Sequence, residues 1–133
     1  MIQSQIIVEI LDNSGVKVVK CIGIDKKPYQ GFGKVGVSFT GVVISFNKKN
    51  SSKKKLKKGS IVKCFFVCSK KENQFESSGF FLKHLTKNGA ILLSQNSNSQ
   101  ELIPQSSRFE GYFPLTCSKK NLFFITSFNK ILL

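Results

Sequence analysis

The first part of the chain alternates apolar and polar residues in the way that β-strands require. The runs IIVEIL and VKVVKCIGI are rich in β-branched residues and lie on either side of the sequence DNSG. In such a turn, short polar side chains bond the local backbone and glycine tolerates positive φ. Residues 6–24 are therefore predicted to form a β-hairpin.

Further strands are predicted along the rest of the chain. Residues 35–46 form a long β-branched run in which Gly41 indicates a bulge or bend, and residues 61–68 form another run. FFLKHL and AILLS lie on either side of TKNG, and Asn-Gly is a strong hairpin signal, so these two segments are predicted to pair. The polar segment 94–107 is predicted to be a loop.

Five or six short strands bent by glycines predict an all-β fold, a small closed β-barrel. Apolar residues recur at helical spacing over residues 119–132, which predicts a short helix packed on the barrel. A chain of 133 residues is expected to form a single domain, residues 1–133.

The segment 47–60, NKKNSSKKKLKKGS, contains seven lysines and no acidic residue between two strongly apolar strands. It is predicted to be a basic hairpin loop that protrudes from the barrel. The whole chain has a net charge of +14, which indicates a polyanionic partner such as nucleic acid. Arg108 is the only arginine among 21 basic residues. Lysine neutralises phosphates as a point charge, whereas arginine reads base edges. The lysine-rich composition therefore favours contacts with the phosphate backbone of a nucleic acid over sequence-specific contacts with its bases.

The four cysteines do not form a metal-binding pattern. Cys64 and Cys68 are predicted to lie on one strand, roughly 13 Å apart at about 3.3 Å per residue, which is too far for one zinc ion. Together with Cys21 and Cys117 they are predicted to be buried, reduced thiols. No metal or other cofactor is expected.

The glycine-rich sequence GFGKVG, residues 31–36, matches a dinucleotide-binding pattern in its letters only. A polar loop precedes it and a β-branched run follows it, whereas the nucleotide site needs a strand before it and a helix after it. The glycines are therefore interpreted as turn residues. The single histidine, His84, has no acidic partner nearby in sequence, and no enzyme activity is expected.

The amino-acid usage indicates where the gene resides. The chain has one Ala, one Arg and no Trp but many Lys, Phe, Ile, Asn and Ser residues, as an A+T-rich gene would encode. Organelle genomes and reduced bacterial genomes have this bias. No signal or transit peptide is expected at the start, and no apolar run reaches the length of about 20 residues that spans a bilayer. No membrane partner is expected, because no amphipathic helix with a basic face is predicted.

The ordered landmarks LDNSGVK, VVKCIGI, KKGSIVKCFFVCSKK, SSGFFLKHLTKNGAILLS and SSRFEG resemble the universal large-subunit ribosomal protein fourteen family over nearly the whole chain. The resemblance implies a five-stranded β-barrel with short C-terminal helices that binds large-subunit rRNA near the subunit interface. It also implies contact with small-subunit rRNA in an intersubunit bridge, contact with the large-subunit proteins three and nineteen, and docking of a ribosome-silencing factor.

Matching the family's basic loop, its lysine pair and its Thr-Arg sequence to this chain gives a set of expected rRNA-binding residues. They are Lys48, Lys49, Lys53, Lys54, Lys55, Lys57, Lys58, Lys70, Lys71 and Arg108. The composition favours a mitochondrial ribosome in the matrix and an organelle-encoded gene, with a plastid or an A+T-rich bacterium as alternatives.

A second functional hypothesis is a free-standing, OB-like protein that binds single-stranded nucleic acid. Such a protein needs aromatic side chains exposed on one face of the barrel for base stacking. The candidates are Phe32, Phe46, Phe65 and Phe66.

Overall fold

The computed structural model describes residues 1–25, 31–46, 56–70, 73–74, 81–82, 87–95, 102–106 and 108–109. Within these ranges all regular structure is β-strand. The strands are β1 (Ile7–Ile10), β2 (Val16–Ile24), β3 (Ser38–Phe46), β4 (Ile61–Cys68), β5 (Asn73–Gln74), β6 (Phe81–Leu82), β7 (Gly89–Gln95) and β8 (Leu102–Pro104). The helix predicted over residues 119–132 lies outside the described residues.

Five strands close into a barrel, which confirms the predicted fold class. β1, β2, β3, β4 and β7 pair in that order, each antiparallel to the next. Parallel pairing of β1 with β7, at Glu9↔Gly89 and Ile10↔Ala90, then joins the first strand to the last. This short parallel contact makes the barrel mixed rather than purely antiparallel.

The predicted first hairpin is confirmed. β1 pairs with β2 through Ile7↔Lys20 and Val8↔Val19. In the connecting turn, the Ser14 amide donates to Asp12 Oδ1 at 2.9 Å, and Gly15 adopts a φ of 91°. The polar side chain and the glycine therefore perform the roles that the sequence DNSG indicates.

Gly41 allows strands β2 and β3 to approach each other closely. The bulge expected at Gly41 lies opposite it in β2 and not in β3 itself. β3 continues through Gly41, while the pairing of β2 with β3 shifts register between Cys21 and Gly23. A Cβ at Gly41 would lie 2.2 Å from Val19 Cγ1 and 3.0 Å from the Lys20 carbonyl oxygen. The bulge in β2 and the missing side chain in β3 together bend the sheet.

The core consists of two clusters separated by β4 and β7. The barrel interior holds buried side chains from every barrel strand and from the N-terminal segment, namely Ile2, Val8, Ile10, Val16, Val19, Cys21, Phe39, Val43, Val62, Cys64, Phe66, Ala90 and Leu92. On the outer face of the same two strands lie Phe65, Val67, Ile91 and Leu93, against which Val35, Leu102 and Phe109 pack. Burial of both faces explains why IVKCFFVC is almost continuously apolar.

Two pairings differ from the sequence predictions. β8 lies inside the segment predicted to be a polar loop, and it pairs with β7 at Ser94↔Ile103 because Leu102 covers the outer apolar cluster. FFLKHL and AILLS are not paired in the described residues. β6 pairs with β5 instead, and β7 pairs with β4, β1 and β8. Asn88 does not close a local hairpin, since its carbonyl accepts the Glu9 amide at 3.0 Å.

Cys21, Cys64 and Cys68 are free and buried, as predicted, while Cys117 lies outside the described residues. Burial raises the pKa of all three thiols, most strongly that of Cys64, and raises the pKa of Cys68 to about 11. These thiols are therefore protonated at neutral pH and are poor nucleophiles and metal ligands.

The raised pKa of Cys68 makes stability depend on pH in the alkaline range. The folded state holds the Cys68 thiol proton more tightly than the unfolded state does. The resulting contribution to the free energy of unfolding is present below the pKa of the thiol in the unfolded chain, and it is lost as the pH rises toward 11. Between pH 7.5 and 10 we expect the wild type to lose about 1–2 kcal/mol more unfolding free energy than Cys68→Ala. Denaturant unfolding of both proteins at the two pH values measures this. Equal losses would show that Cys68 does not titrate in this way.

Candidate nucleic-acid interface

Lys57 and Lys58 are exposed in a tight turn that leads from the lysine-rich segment into β4. The Ser60 amide donates to the Lys57 carbonyl at 3.0 Å, and the Lys57 amide donates to Ser60 Oγ at 3.0 Å. Gly59, with φ of 89°, donates its amide to the Val43 carbonyl at 2.9 Å, and this bond anchors the turn on β3. The sequence KKGS thus fixes the backbone while both lysine side chains face solvent.

Arg108 is exposed, and its position is set by the backbone on either side. Its carbonyl accepts the Asn13 amide at 3.3 Å, and Phe109 forms an isolated bridge with Asp12. Phe109 also packs against the outer apolar cluster. Apolar packing and backbone bonds together hold Arg108 against the turn between β1 and β2.

The strand order places Lys57, Lys58 and Arg108 at one end of the barrel. β2 begins where β3 ends, since Val16 pairs with Phe46, so the β1–β2 turn and the β3–β4 connection emerge at the same end. Arg108 is bonded to that β1–β2 turn. Exposed Lys17, next to Val16, lies there too. We call this set, Lys17, Lys57, Lys58 and Arg108, the basic end.

The acidic side chain at this end, Asp12, is occupied by backbone donors. Its Oδ1 accepts the Ser14 amide, and its Oδ2 accepts the Leu92 amide at 2.8 Å. Along the edge of β7, the Leu11 amide donates to the Ala90 carbonyl, and the Gln105 amide donates to the Leu92 carbonyl. The Leu92 amide lies between these two bonds, and it donates to the Asp12 carboxylate. The carboxylate therefore completes the barrel at the point where no strand pairs.

Replacing Asp12 with Asn should loosen this closure without changing the shape of the side chain. An amide group has one oxygen acceptor, so the Ser14 amide or the Leu92 amide loses its partner. We expect the unfolding free energy to fall by about 1 kcal/mol. Hydrogen exchange of the Ser14 and Leu92 amides, together with denaturant unfolding, measures the effect. Unchanged protection of both amides would contradict the role of Asp12.

Lys70 lies at the opposite end of the barrel, directly after β4. Its amide donates to Asn88 Oδ1 at 2.9 Å, and its side chain is exposed. The neighbouring Lys87 Nζ lies 3.0 Å from Glu9 Oε2 in an exposed ion pair. The described members of the expected rRNA-binding set, Lys57, Lys58, Lys70 and Arg108, therefore divide between two ends. Six of them, Lys48, Lys49, Lys53, Lys54, Lys55 and Lys71, lie outside the described residues.

The four candidate aromatic side chains do not form a base-stacking surface. Phe65 is 4% exposed and Phe66 is 0% exposed, because they pack in the outer and inner clusters respectively. Phe46 is half-buried and packs against the interior cluster, and Phe32, 39% exposed, lies in the loop before β3. This distribution does not support the OB-like hypothesis, which requires adjacent exposed rings.

The sequence GFGKVG forms turns, as its context indicates. Gly31 and Gly36 adopt positive φ, and β3 rather than a helix follows. Gly33 bonds to Ile2 in both directions, Ile2 amide to Gly33 carbonyl at 2.7 Å and Gly33 amide to Ile2 carbonyl at 2.6 Å. Gly33 therefore anchors the N-terminal segment, and the glycines are followed by a strand instead of the helix that a dinucleotide site requires.

Over the described ranges the chain lacks both a metal-binding cluster and a helix that could cross a membrane. No three His, Cys, Asp or Glu side chains there are grouped as a metal site would require. The same part of the chain contains no helix long and apolar enough to cross a membrane.

Comparison with known proteins identifies relatives over almost the whole length. The family model "Ribosomal protein L14p/L23e" matches residues 1–132. The large ribosomal subunit protein uL14c of Helicosporidium sp. subsp. Simulium jonesii is 30% identical over 122 residues, covering 92% of this chain and 91% of the relative. The uL14c protein of Welwitschia mirabilis is 31% identical over 84% of this chain and 82% of its own, and that of Cuscuta obtusiflora is 27% identical over 98% and 93%.

The prediction of a mitochondrial ribosome is wrong. These relatives are named uL14c, the form of the protein found in chloroplasts and other plastids. An A+T-rich composition is common to both kinds of organelle genome, so composition could not separate them.

Proposed function

Because this chain belongs to the ribosomal protein L14p/L23e family and is a structural protein of the large ribosomal subunit rather than an enzyme, we propose that its basic end binds large-subunit rRNA. The contact would include the lysines of the segment before β4, namely Lys48, Lys49, Lys53, Lys54, Lys55, Lys57 and Lys58, together with Arg108. The observation that carries this proposal is the meeting of the β3–β4 connection and Arg108 at one end of the barrel.

The mechanism is neutralisation of phosphates by lysines held on a rigid support. The major groove of A-form RNA is too deep and narrow for side chains to read bases, so shape and charge dominate recognition of double-stranded RNA. Lysine suits this task, since it acts as a mobile point charge. The Lys57–Ser60 turn is bonded to β3, so phosphates bound there would be positioned relative to the whole barrel.

Lys70, at the opposite end of the barrel, and Lys71, the next residue in the sequence, form a second proposed contact. Lysines at both ends of the barrel would let one small domain join two separate RNA elements of the large subunit. Arg108 is proposed to take part in an intersubunit bridge with small-subunit rRNA, in line with the family resemblance. Neighbouring contacts with the large-subunit proteins three and nineteen, and docking of a ribosome-silencing factor, are proposed on the same ground.

We place the protein in plastid ribosomes. The test is sedimentation of the tagged chain in lysates of isolated plastids and of isolated mitochondria. We expect the tag to sediment with the large subunit of the plastid ribosome and to remain there after subunits are separated at low magnesium. Recovery in mitochondrial subunits, or at the top of the gradient, would contradict the assignment.

A further inference from the structure

Asn88 and Gly89 are adjacent at the point where the barrel closes. Gly89 is the first residue of β7, and it pairs with Glu9 of β1 on one side and with Cys68 of β4 on the other. The Asn88 carbonyl accepts the Glu9 amide at 3.0 Å, and Asn88 Oδ1 accepts the Lys70 amide at 2.9 Å. The pair therefore joins the first strand of the barrel to the end of β4.

Each residue of the pair is selected by its place in the barrel and not by a local turn. A Cβ at position 89 would collide with the side chains of Leu11 and Cys68, so this position favours glycine. Position 88 needs a short side chain with an oxygen acceptor for the Lys70 amide, which asparagine and aspartate both provide. Closure of the barrel thus places an asparagine directly before a glycine.

An asparagine followed by glycine is chemically labile. Asparagine is thermolabile, and glycine has no side chain to hinder the approach of its amide nitrogen to the asparagine side chain. After losing its proton, the Gly89 nitrogen attacks Asn88 Cγ and closes a succinimide ring, while the Cγ–Nδ2 bond breaks and ammonia leaves. Water then opens the ring at Cγ to give aspartate, or at the main-chain carbonyl carbon to give isoaspartate. The net reaction consumes water, releases ammonia and needs no oxidant or reductant.

The closed barrel opposes formation of the ring. The ring forms when the peptide plane between Asn88 and Gly89 turns onto the asparagine side chain, and in the barrel this plane is held from two sides. The bond from the Glu9 amide holds the Asn88 carbonyl, while pairing with Cys68 holds Gly89 in a buried position. Ring formation therefore requires local opening of the barrel.

The two products have opposite consequences for closure. Aspartate leaves the main chain unchanged, and its carboxylate can accept the Lys70 amide as Asn88 Oδ1 does. Isoaspartate adds one atom to the main chain before Gly89, so the bond to the Glu9 amide and the pairing of Gly89 with β4 no longer fit together. Over the described residues the parallel contact of β1 with β7 is two residue pairs long, which leaves little else to hold the barrel closed.

We propose that the Asn88–Gly89 peptide is a site of spontaneous deamidation that closure of the barrel protects, and that isoaspartate formed there before folding prevents closure. The modification is thereby confined to chains that have not folded or have unfolded. The proposal goes beyond rRNA binding and does not depend on it, since it concerns the closure of the barrel alone.

Ageing the full chain in its folded and denatured states tests the protection. One sample is kept in native buffer at mildly alkaline pH and a matched sample in the same buffer with guanidinium chloride. Tandem mass spectrometry then quantifies aspartate and isoaspartate at position 88. We expect the reaction to be roughly 50-fold or more slower in the folded sample, because local opening of a paired barrel strand is rare. Equal rates in the two samples would overturn the protection.

Refolding of the aged, denatured sample tests the effect on closure. The chain is diluted out of guanidinium chloride, and soluble folded protein is separated from aggregate. We expect isoaspartate at position 88 to be depleted by about tenfold or more in the folded fraction, whereas aspartate at that position is retained. Equal isoaspartate content in the two fractions would overturn the effect on closure.

Asn88→Gln is the matched control variant for this refolding experiment. Glutamine keeps the amide group, but its ring would have six members and forms much more slowly. Each protein is aged in denaturant and compared with its own unaged sample, so a difference in stability between the two proteins does not enter. We expect ageing to lower the refolding yield of the wild type and to leave that of Asn88→Gln unchanged. An equal loss of yield in both proteins would contradict the role of position 88.

Discussion

Replacing Lys53, Lys54, Lys55, Lys57 and Lys58 together with Gln should nearly abolish binding of the isolated protein to large-subunit rRNA. Each phosphate contact contributes about 0.7–0.9 to the slope of log affinity against log salt concentration, so loss of five contacts should reduce the slope by about 4. Extrapolated from 1 M to 0.15 M salt, that change in slope corresponds to an affinity loss on the order of 1,000-fold. Filter binding to an rRNA fragment over a series of salt concentrations measures both quantities.

The matched control replaces the same five lysines with arginine, which preserves their charge. We expect the slope to stay within about one unit of the wild type, since counterion release depends on charge and not on the side chain that carries it. A slope that is unchanged in the glutamine variant would show that these lysines are solvated and do not contact phosphate.

Replacing Gly41 with Ala should cause a large loss of stability for the addition of a single methyl group. The added Cβ would lie 2.2 Å from Val19 Cγ1 in the packed interior and 3.0 Å from a backbone oxygen, so strands β2 and β3 must separate. Overpacking of this kind costs about 2–3 kcal/mol. Chemical denaturation at neutral pH measures the change.

Gly23→Ala is the matched control for Gly41→Ala. Gly23 lies in the partner strand near the same register shift, and a Cβ there would meet nothing within 4 Å. Because alanine also restricts the unfolded chain, we expect this variant to be as stable as the wild type or up to about 1 kcal/mol more stable. Equal destabilisation by both substitutions would show that close approach at Gly41 is not the cause.

Local pattern was sufficient to predict most of the barrel. The DNSG turn, the strand IVKCFFVC and the β-branched runs before and after Gly41 each carry their signal within a few residues. β8 could not be predicted in this way, because three residues in a polar segment become a strand only through pairing with β7 and contact with the outer cluster. The Asn88-Gly89 signal was misleading for a similar reason, since Asn88 bonds to distant Glu9 and Lys70.

The candidate site was predictable in composition but not in arrangement. Charge and family resemblance identified Lys57, Lys58 and Arg108, while only the strand order shows that all three lie at one end of the barrel. Asp12 was expected to support a turn, but its bond to Leu92, 80 positions away, has no local sequence signal.

Salt release from assembled subunits tests the central claim, that the lysine segment at the basic end binds rRNA, most directly. Plastid large subunits reconstituted with the wild type, the five-arginine variant or the five-glutamine variant are washed at increasing salt and pelleted. We expect the first two proteins to remain bound at salt concentrations that release the glutamine variant. Retention of all three proteins to the same salt concentration would contradict the claim.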